Sequence, residues 1–357
     1  MYDIIIIGAG ASGLIAASQI KNQKICIIDK NQKIGAKIKI SGGGKCNITN
    51  KYLNESFYLG DSKLLQKTFQ NFDNIALLKF LKSQNLHPNL NEKIVKGTYF
   101  CNTSDDVIEM FRKLTSDCNF LLNTEVSDVE YCNEEFILSI DNKKIKAKKL
   151  IIATGGLSYP MLGATDIGYK IAQKFGHSII TPNPSLVGFT VQKEQFWFKE
   201  LSGLSIDVKI KVEEKILEGS LLFTHKGCSG PVILSTSLYW KKGKISIDFA
   251  PSKESYLPKR FKQAIKDLDI DIHNYQFAPA GNFGYTKAEV TRGGVCTDEI
   301  SSSFESKLQK NLFFIGEVLD VTGELGGYNF QWAFSSGFVC GKAIVCYDSK
   351  KEWGGVV

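Results

Sequence analysis

At 357 residues, 43% hydrophobic and 23% charged, the chain has the composition of a globular protein large enough for two domains. Nine cysteines, an odd number with no Cys-x-x-Cys, and four scattered histidines argue against a disulfide framework and against a metal site. The net charge of +7 comes from dispersed lysines; the short clusters 143–149 and 241–244 read as solvated turns between strands, so no stable nucleic-acid partner is expected.

In chain order, Asp3 to Ile7 is a short β-branched run that predicts a buried parallel strand. Gly8, Gly10 and Gly13 follow in the Gly-x-Gly-x-x-Gly spacing. They suit a tight turn, a close backbone approach to a pyrophosphate and close helix–strand packing. The helix that opens near Ala9 to Gly13, across Ala11 and Ser12, turns its free N–H groups and positive dipole end toward phosphate. A second apolar stretch, Ile25 to Ile28, ends at Asp29, whose carboxylate suits ribose hydroxyls. No apolar run approaches the ~18 residues of a membrane span. Met1 runs almost directly into the first strand with no signal-peptide pattern, so a cytoplasmic protein without membrane attachment is expected.

The next signal is Ser41-Gly42-Gly43-Gly44-Lys45-Cys46-Asn47-Ile48-Thr49-Asn50. Three consecutive glycines suit a backbone that approaches a ligand or takes positive φ, and Lys45 and Asn47 add charge and hydrogen-bonding groups. Apolar periodicity predicts one or two helices over 62–84. Another helix is predicted from Ser104 or Asp105 to Leu114, with that Ser/Asp pair as cap. Strand-like runs fill 119–151. Leu150 to Ala153 returns to the parallel sheet and feeds Thr154-Gly155-Gly156, a turn that lets backbone approach a cofactor. A helix follows over 166–176. The composition shifts at Thr181-Pro182-Asn183-Pro184, and strand-length segments then alternate with Gly and Lys turns from Val187 to Phe249. A modest helix is predicted over 256–268. Leu312 to Ile315 is the last strand; it runs into Gly316-Glu317-Val318-Leu319-Asp320, and Gly326-Gly327-Tyr328-Asn329 opens a final helix from Phe330 to about Cys346.

The Gly-Gly-Gly-Lys-Cys-Asn-Ile-Thr-Asn stretch resembles the signature of the BaiN/YhiN-type flavoproteins, often called the aminoacetone oxidase family. Phe223 to Pro231, Val290 to Val295, and Gly316 through Gly326–Asn329 to Gly337 resemble it in the same order along nearly the whole chain. The resemblance implies an α/β fold, a glutathione-reductase-like two-dinucleotide-binding Rossmann domain that holds FAD. That domain is split over residues 1–185 and 288–357 around an inserted β-rich substrate domain at 186–287. The stretch from Pro251 to Tyr275 is short for the helical part the family carries there.

By position, the resemblance puts Gly8 to Gly13, Asp29 and Lys30 at the ADP half of FAD. Lys37 and Gly42 to Asn47 fall at the pyrophosphate, ribityl chain or ring. Val126 falls at adenine, Thr154 to Gly156 along the cofactor, and Gly316, Glu317 and Asp320 at the ribityl and pyrophosphate region. Gly327, Tyr328 and Asn329 fall at the pyrimidine edge, where a helix start stabilises the charge of reduced flavin. The implied activity is FAD-dependent hydride transfer to or from a small organic substrate, with NAD(P)H as a transient reductant. The alternative is a flavin-binding regulatory or RNA-associated module. Three residues are candidates for chemistry. Cys46 is a thiol beside Lys45, with packing as its alternative role. His225 suits proton transfer or anion binding. Arg292 suits a bidentate grip on a carboxylate.

Overall fold

The structure is a computed structural model, and it describes residues 1–92, 95–141 and 143–353. The chain forms two units, Met1–Pro182 with the chain from Arg292 onward, and Asn183–Thr291.

The first unit is built on a parallel sheet in which Tyr2–Ile7 lies between Ile25–Ile28 and Lys143–Ile152. Asn119–Leu121 extends the sheet beyond Ile25–Ile28, and Leu312–Phe314 extends it beyond Lys143–Ile152. Ile4, Ile5, Ile6, Leu150 and Ile151 are wholly buried, as strands covered on both faces require. Val126–Cys132 and Glu135–Ile140 form the antiparallel meander that returns through Lys143–Ile152. Ala11–Gln19 and the last helix, Tyr328–Trp353, cross at close range. A Cβ on Gly337 would sit 2.4 Å from the Ser12 carbonyl oxygen, and one on Gly341 would sit 2.6 Å from that of Ala16.

Local expectations in this unit are made definite in one place and corrected in three. The 62–84 region is two helices, Ser62–Asn71 and Asn74–Ser83, each capped by an aspartate, Asp61 or Asp73. The cap of Ser104–Leu114 is Thr103: its hydroxyl accepts from the Asp105 and Asp106 N–H groups, and its extended φ of −137° leaves Ser104 already helical. The lysines of 143–149 lie within a strand, and Lys144, Lys146 and Lys148 pair with Glu130, Glu135 and Asp3. The last helix starts at Tyr328, two residues before the expected Phe330. A small antiparallel sheet of Asn47–Asn50, Thr98–Phe100 and Asn89–Asn91 completes this unit.

The second unit is a seven-stranded antiparallel sheet with Ser205–Val212 and Lys215–Thr224 at its centre, paired along their length. Its core is aromatic: Phe198, Phe223, Phe249, Phe261 and Phe277 are buried around Trp197. Pro231–Tyr239 is a helix inside a region whose composition reads as strand. Proline in its first turn after Gly230, at φ +93°, is the local reason. The expected 256–268 helix is broken. Pro258 holds Leu257 extended, leaving a short turn at Glu254–Tyr256 and a helix at Lys259–Ala264. Among the described residues, no helix is long and apolar enough to cross a membrane.

Candidate cofactor site

The first strand ends at Gly8, with φ +115°, where a Cβ would lie 2.2 Å from the Ala153 carbonyl oxygen. A Cβ on Gly13 would lie 2.1 Å from the Gly8 carbonyl oxygen. Both positions are glycine because the protein's own backbone occupies the space. Gly10 is different. Its φ is −86°, open to any residue, and a Cβ there meets nothing within 4 Å. No side chain caps the helix that starts at Ala11, so its first N–H groups are left for an anion.

Asp29 fastens this turn. Its Oδ2 accepts the Ala9 N–H at 2.7 Å, and its Oδ1 accepts the Asn31 backbone and side-chain N–H groups at 2.8 and 2.9 Å. A carboxylate has about four acceptor positions, so one remains for a hydroxyl. The Asp29 carbonyl takes the Thr124 N–H at 3.0 Å, which brings the start of the Val126 strand alongside. Lys30 pairs with Glu125 on exposed surface.

The 41–47 loop is a run of left-handed residues, with Gly42, Gly43, Gly44 and Cys46 all at positive φ. A Cβ on Gly42 would press on the Asn47 side chain, whereas Gly43 and Gly44 face open space. The Cys46 N–H donates to the Ser41 carbonyl. Its thiol has no exposed surface, and burial pushes it up to about 12, so it is protonated at neutral pH. Cys101 lies next to it, its N–H donating to the Lys45 and Cys46 carbonyls at 3.0 and 3.3 Å.

The carboxy-terminal return closes on the same turns. A Cβ on Gly316, at φ +76°, would meet the Ser12 hydroxyl at 2.6 Å. The Gly316 N–H donates to the Ser336 hydroxyl, and its carbonyl accepts the Trp332 indole N–H, both at 3.0 Å. Lys37 pairs with Glu317 at 2.6 Å, and Gly155, at φ +72°, lies beside that carboxylate. The Thr154 hydroxyl is buried without a hydrogen-bond partner. Arg292 and Asp320 face each other: burial lowers the arginine and raises the carboxyl, and each partner opposes the other's shift. At the last helix, a Cβ on Gly327 would strike the Thr49 carbonyl. The Asn329 side chain brackets Gly323, accepting its N–H at 2.9 Å and donating to its carbonyl at 2.8 Å. The Tyr328 ring stacks on Phe57, and its hydroxyl donates to the Tyr52 carbonyl.

The first unit thus gathers Gly8 to Gly13, Asp29, Lys37, 42–47, 154–156, 316–320, 327–329 and Arg292. His225 stands in the second unit, exposed in the turn between Lys215–Thr224 and Gly227–Ser229. The holding contacts of Ser12, Trp332 and Ser336 on Gly316 escape sequence reasoning. Their signal is the four-residue spacing of Trp332 and Ser336 on one helix. The open positions at Gly10, Gly43 and Gly44, the uncapped helix start and the spare acceptor of Asp29 fit a bound dinucleotide. Among the described residues, no cluster of His, Cys, Asp and Glu suits a metal ion.

The sequence profile of the HI0933-like protein Rossmann domain matches residues 2–343. The chain belongs to the HI0933-like family of FAD-binding proteins. It is 38% identical to a ribosomal RNA dihydrouridine synthase of Haemophilus influenzae, over 95% of this chain and 98% of that protein. It is 34% identical to a protein of the same name from Escherichia coli, over 98% and 99%. A 3-dehydro-bile acid delta(4,6)-reductase of Clostridium scindens is 27% identical over 96% and 99%. Among solved structures, 3-ketosteroid delta1-dehydrogenase from Sterolibacterium denitrificans shares the fold, with a TM-score of 0.56 at 10% identity over 97% of this chain and 99% of that one. Family membership makes the protein an FAD-dependent oxidoreductase of Rossmann type with an inserted domain.

Proposed function

We propose that the protein reduces the C5–C6 double bond of a uracil base in ribosomal RNA, with NAD(P)H as electron source. The observation that carries this reading is the full-length similarity, at 38% and 34% identity, to two proteins named for that reaction. The bile-acid reductase name is consistent with one chemistry across the family, addition of hydrogen to a carbon–carbon double bond. In uracil that bond is conjugated to the C4 carbonyl. Hydride adds at C6, the electron pair moves to the C4 oxygen, and a proton completes C5; NAD(P)H leaves as NAD(P)+.

FAD held in the cradle supplies the hydride-transfer chemistry. The residues of the chain bind and orient. The helix start after Gly10 would hold the pyrophosphate, Asp29 would accept from a ribose hydroxyl, and the Gly327–Tyr328 helix start would favour negative charge on the bound ring. Arg292, kept charged beside Asp320, is our candidate for the substrate carbonyl oxygen. His225 is our candidate proton donor. Cys46, protonated and buried, packs.

The test is nucleoside mass spectrometry of ribosomal RNA, purified from cells lacking this protein and incubated with the holoenzyme and NADH or NADPH. The reading predicts a uridine two hydrogens heavier that appears only with enzyme and nicotinamide. Unchanged uridine with salt-sensitive RNA retention would favour the non-catalytic RNA-associated module.

A further inference from the structure

Two groups of lysines lie on the first unit, and they differ in what neutralises them. Lys144, Lys146 and Lys148 each face a carboxylate at 3.2, 3.0 and 2.8 Å. Along the small sheet the pattern changes. Lys45 and Lys96 have no carboxylate within ion-pairing distance among the described residues, and Lys51 has only Glu92 at 4.0 Å. These lysines sit against aromatic rings. The Lys45 Nζ is 5.4 Å from the centre of Phe100, and those of Lys51 and Lys96 are 5.6 and 5.9 Å from the centre of Tyr52.

Tyr52 is held for display. The residue is 43% exposed, and its ring lies over Gly97, where a Cβ would come within 2.7 Å of it. Gly97, at φ +80°, thus gives the ring its seat. Asn50 fixes the surroundings: its Oδ1 accepts the Tyr52 N–H at 3.0 Å, and its Nδ2 donates to the carbonyls of Lys96 and Gly326. The Tyr52 carbonyl in turn accepts the Tyr328 hydroxyl. The strand pair Asn47–Asn50 and Thr98–Phe100 has Lys45 and Phe100 toward the glycine loop and Lys51, Tyr52 and Lys96 at its other end. That other end is bonded to the start of the last helix.

We propose that this stripe is the docking surface for single-stranded RNA, with a base stacked on Tyr52 and flanking phosphates on Lys45, Lys51 and Lys96. The inference rests on the reading that RNA is the substrate. Lys45 and Lys96 without a carboxylate, Lys51 with only a distant one, and one exposed aromatic ring between Lys51 and Lys96 suit a single strand, since phosphates take the cations and any base has a face to stack. The hydrogen bonds that Asn50 donates to the Gly326 carbonyl and that the Tyr52 carbonyl accepts from the Tyr328 hydroxyl connect the stripe to the cofactor cradle.

The test is filter binding of a single-stranded oligouridylate to FAD-loaded protein across a salt series. Lys51→Ala/Lys96→Ala is expected to lower the slope of log K against log salt by about 1.4, since each phosphate contact on a single strand contributes about 0.7. Tyr52→Ala is expected to weaken binding about tenfold at unchanged slope, and Tyr52→Phe to restore it. Lys144→Ala/Lys146→Ala, which removes the same charge from the neutralised group, is expected to leave the slope near that of the wild type. Flavin absorbance confirms that each variant is folded. If both double variants change the slope equally, or if Tyr52→Ala binds like wild type, the stripe is not the docking surface while the RNA reading stands. If the wild-type protein neither binds nor reduces RNA, both fall.

Discussion

The glycines of this protein fall into two kinds, and the amino-terminal turn contains both. Gly8 and Gly13 sit where a Cβ would enter backbone oxygen at 2.2 and 2.1 Å, so the fold itself demands them. Gly10, between them, has an ordinary φ and empty space around its missing side chain, as do Gly43 and Gly44 apart from their positive φ. Nothing in the polypeptide requires glycine at position 10. A ligand does. One short motif therefore carries two separable demands, assembly of the unit and admission of a cofactor.

Substitutions should separate them. Gly13→Ala is expected to have the largest effect, a loss on the order of 3 kcal/mol from forcing a methyl into packed backbone. Urea denaturation of the apoprotein would measure it, and an unchanged midpoint would break the distinction. Gly10→Ala should weaken FAD binding at least tenfold, about 1.4 kcal/mol. It should cost the apoprotein less than about 1 kcal/mol, the range for a changed helix cap. Fluorescence titration with FAD beside the same denaturation curve gives both numbers. Gly43→Ala combines the two demands at lower amplitude, since holding alanine at positive φ costs about 1 kcal/mol with no clash. Its melting point should fall modestly and its FAD affinity with it.

A fourth prediction places the acid sensitivity of the unit away from the cradle. His177 is buried, with Nδ1 at 3.1 Å from Glu299 and Nε2 at 2.7 Å from the Ser306 hydroxyl. That hydroxyl already accepts two backbone N–H groups, so it donates to Nε2 and the histidine is neutral with its proton on Nδ1. Burial lowers its pKa in the fold. The unfolded chain therefore binds the proton first, and stability should fall as the pH drops below the ordinary histidine value of about 6.5. Melting temperatures between neutral and mildly acid pH would show this slope, and His177→Gln should flatten it.

The sequence makes the parallel strands legible because they are buried on both faces and read as unbroken apolar runs, Ile4 to Ile7 most plainly. The glycine spacing and Asp29 are legible because their chemistry is local. What is not legible depends on partners distant in the chain. Cys46 reads as a lone thiol near Lys45; only the pairing of Asn47 with Phe100 brings Cys101 beside it. The lysines of 143–149 read as a turn because their carboxylate partners lie on other strands. Tyr52 carries no signal until Gly97 and Lys96 arrive from 44 residues and more downstream. The Pro231–Tyr239 helix had a local marker, proline just after glycine, outweighed by its β-branched and apolar composition.

The most direct test of the account is the visible spectrum of the purified protein, followed anaerobically as NADH and then NADPH are added. A flavin spectrum that bleaches with one of them, and recovers when ribosomal RNA is supplied as acceptor, is the predicted result. A colourless protein that takes up no FAD on reconstitution would contradict it.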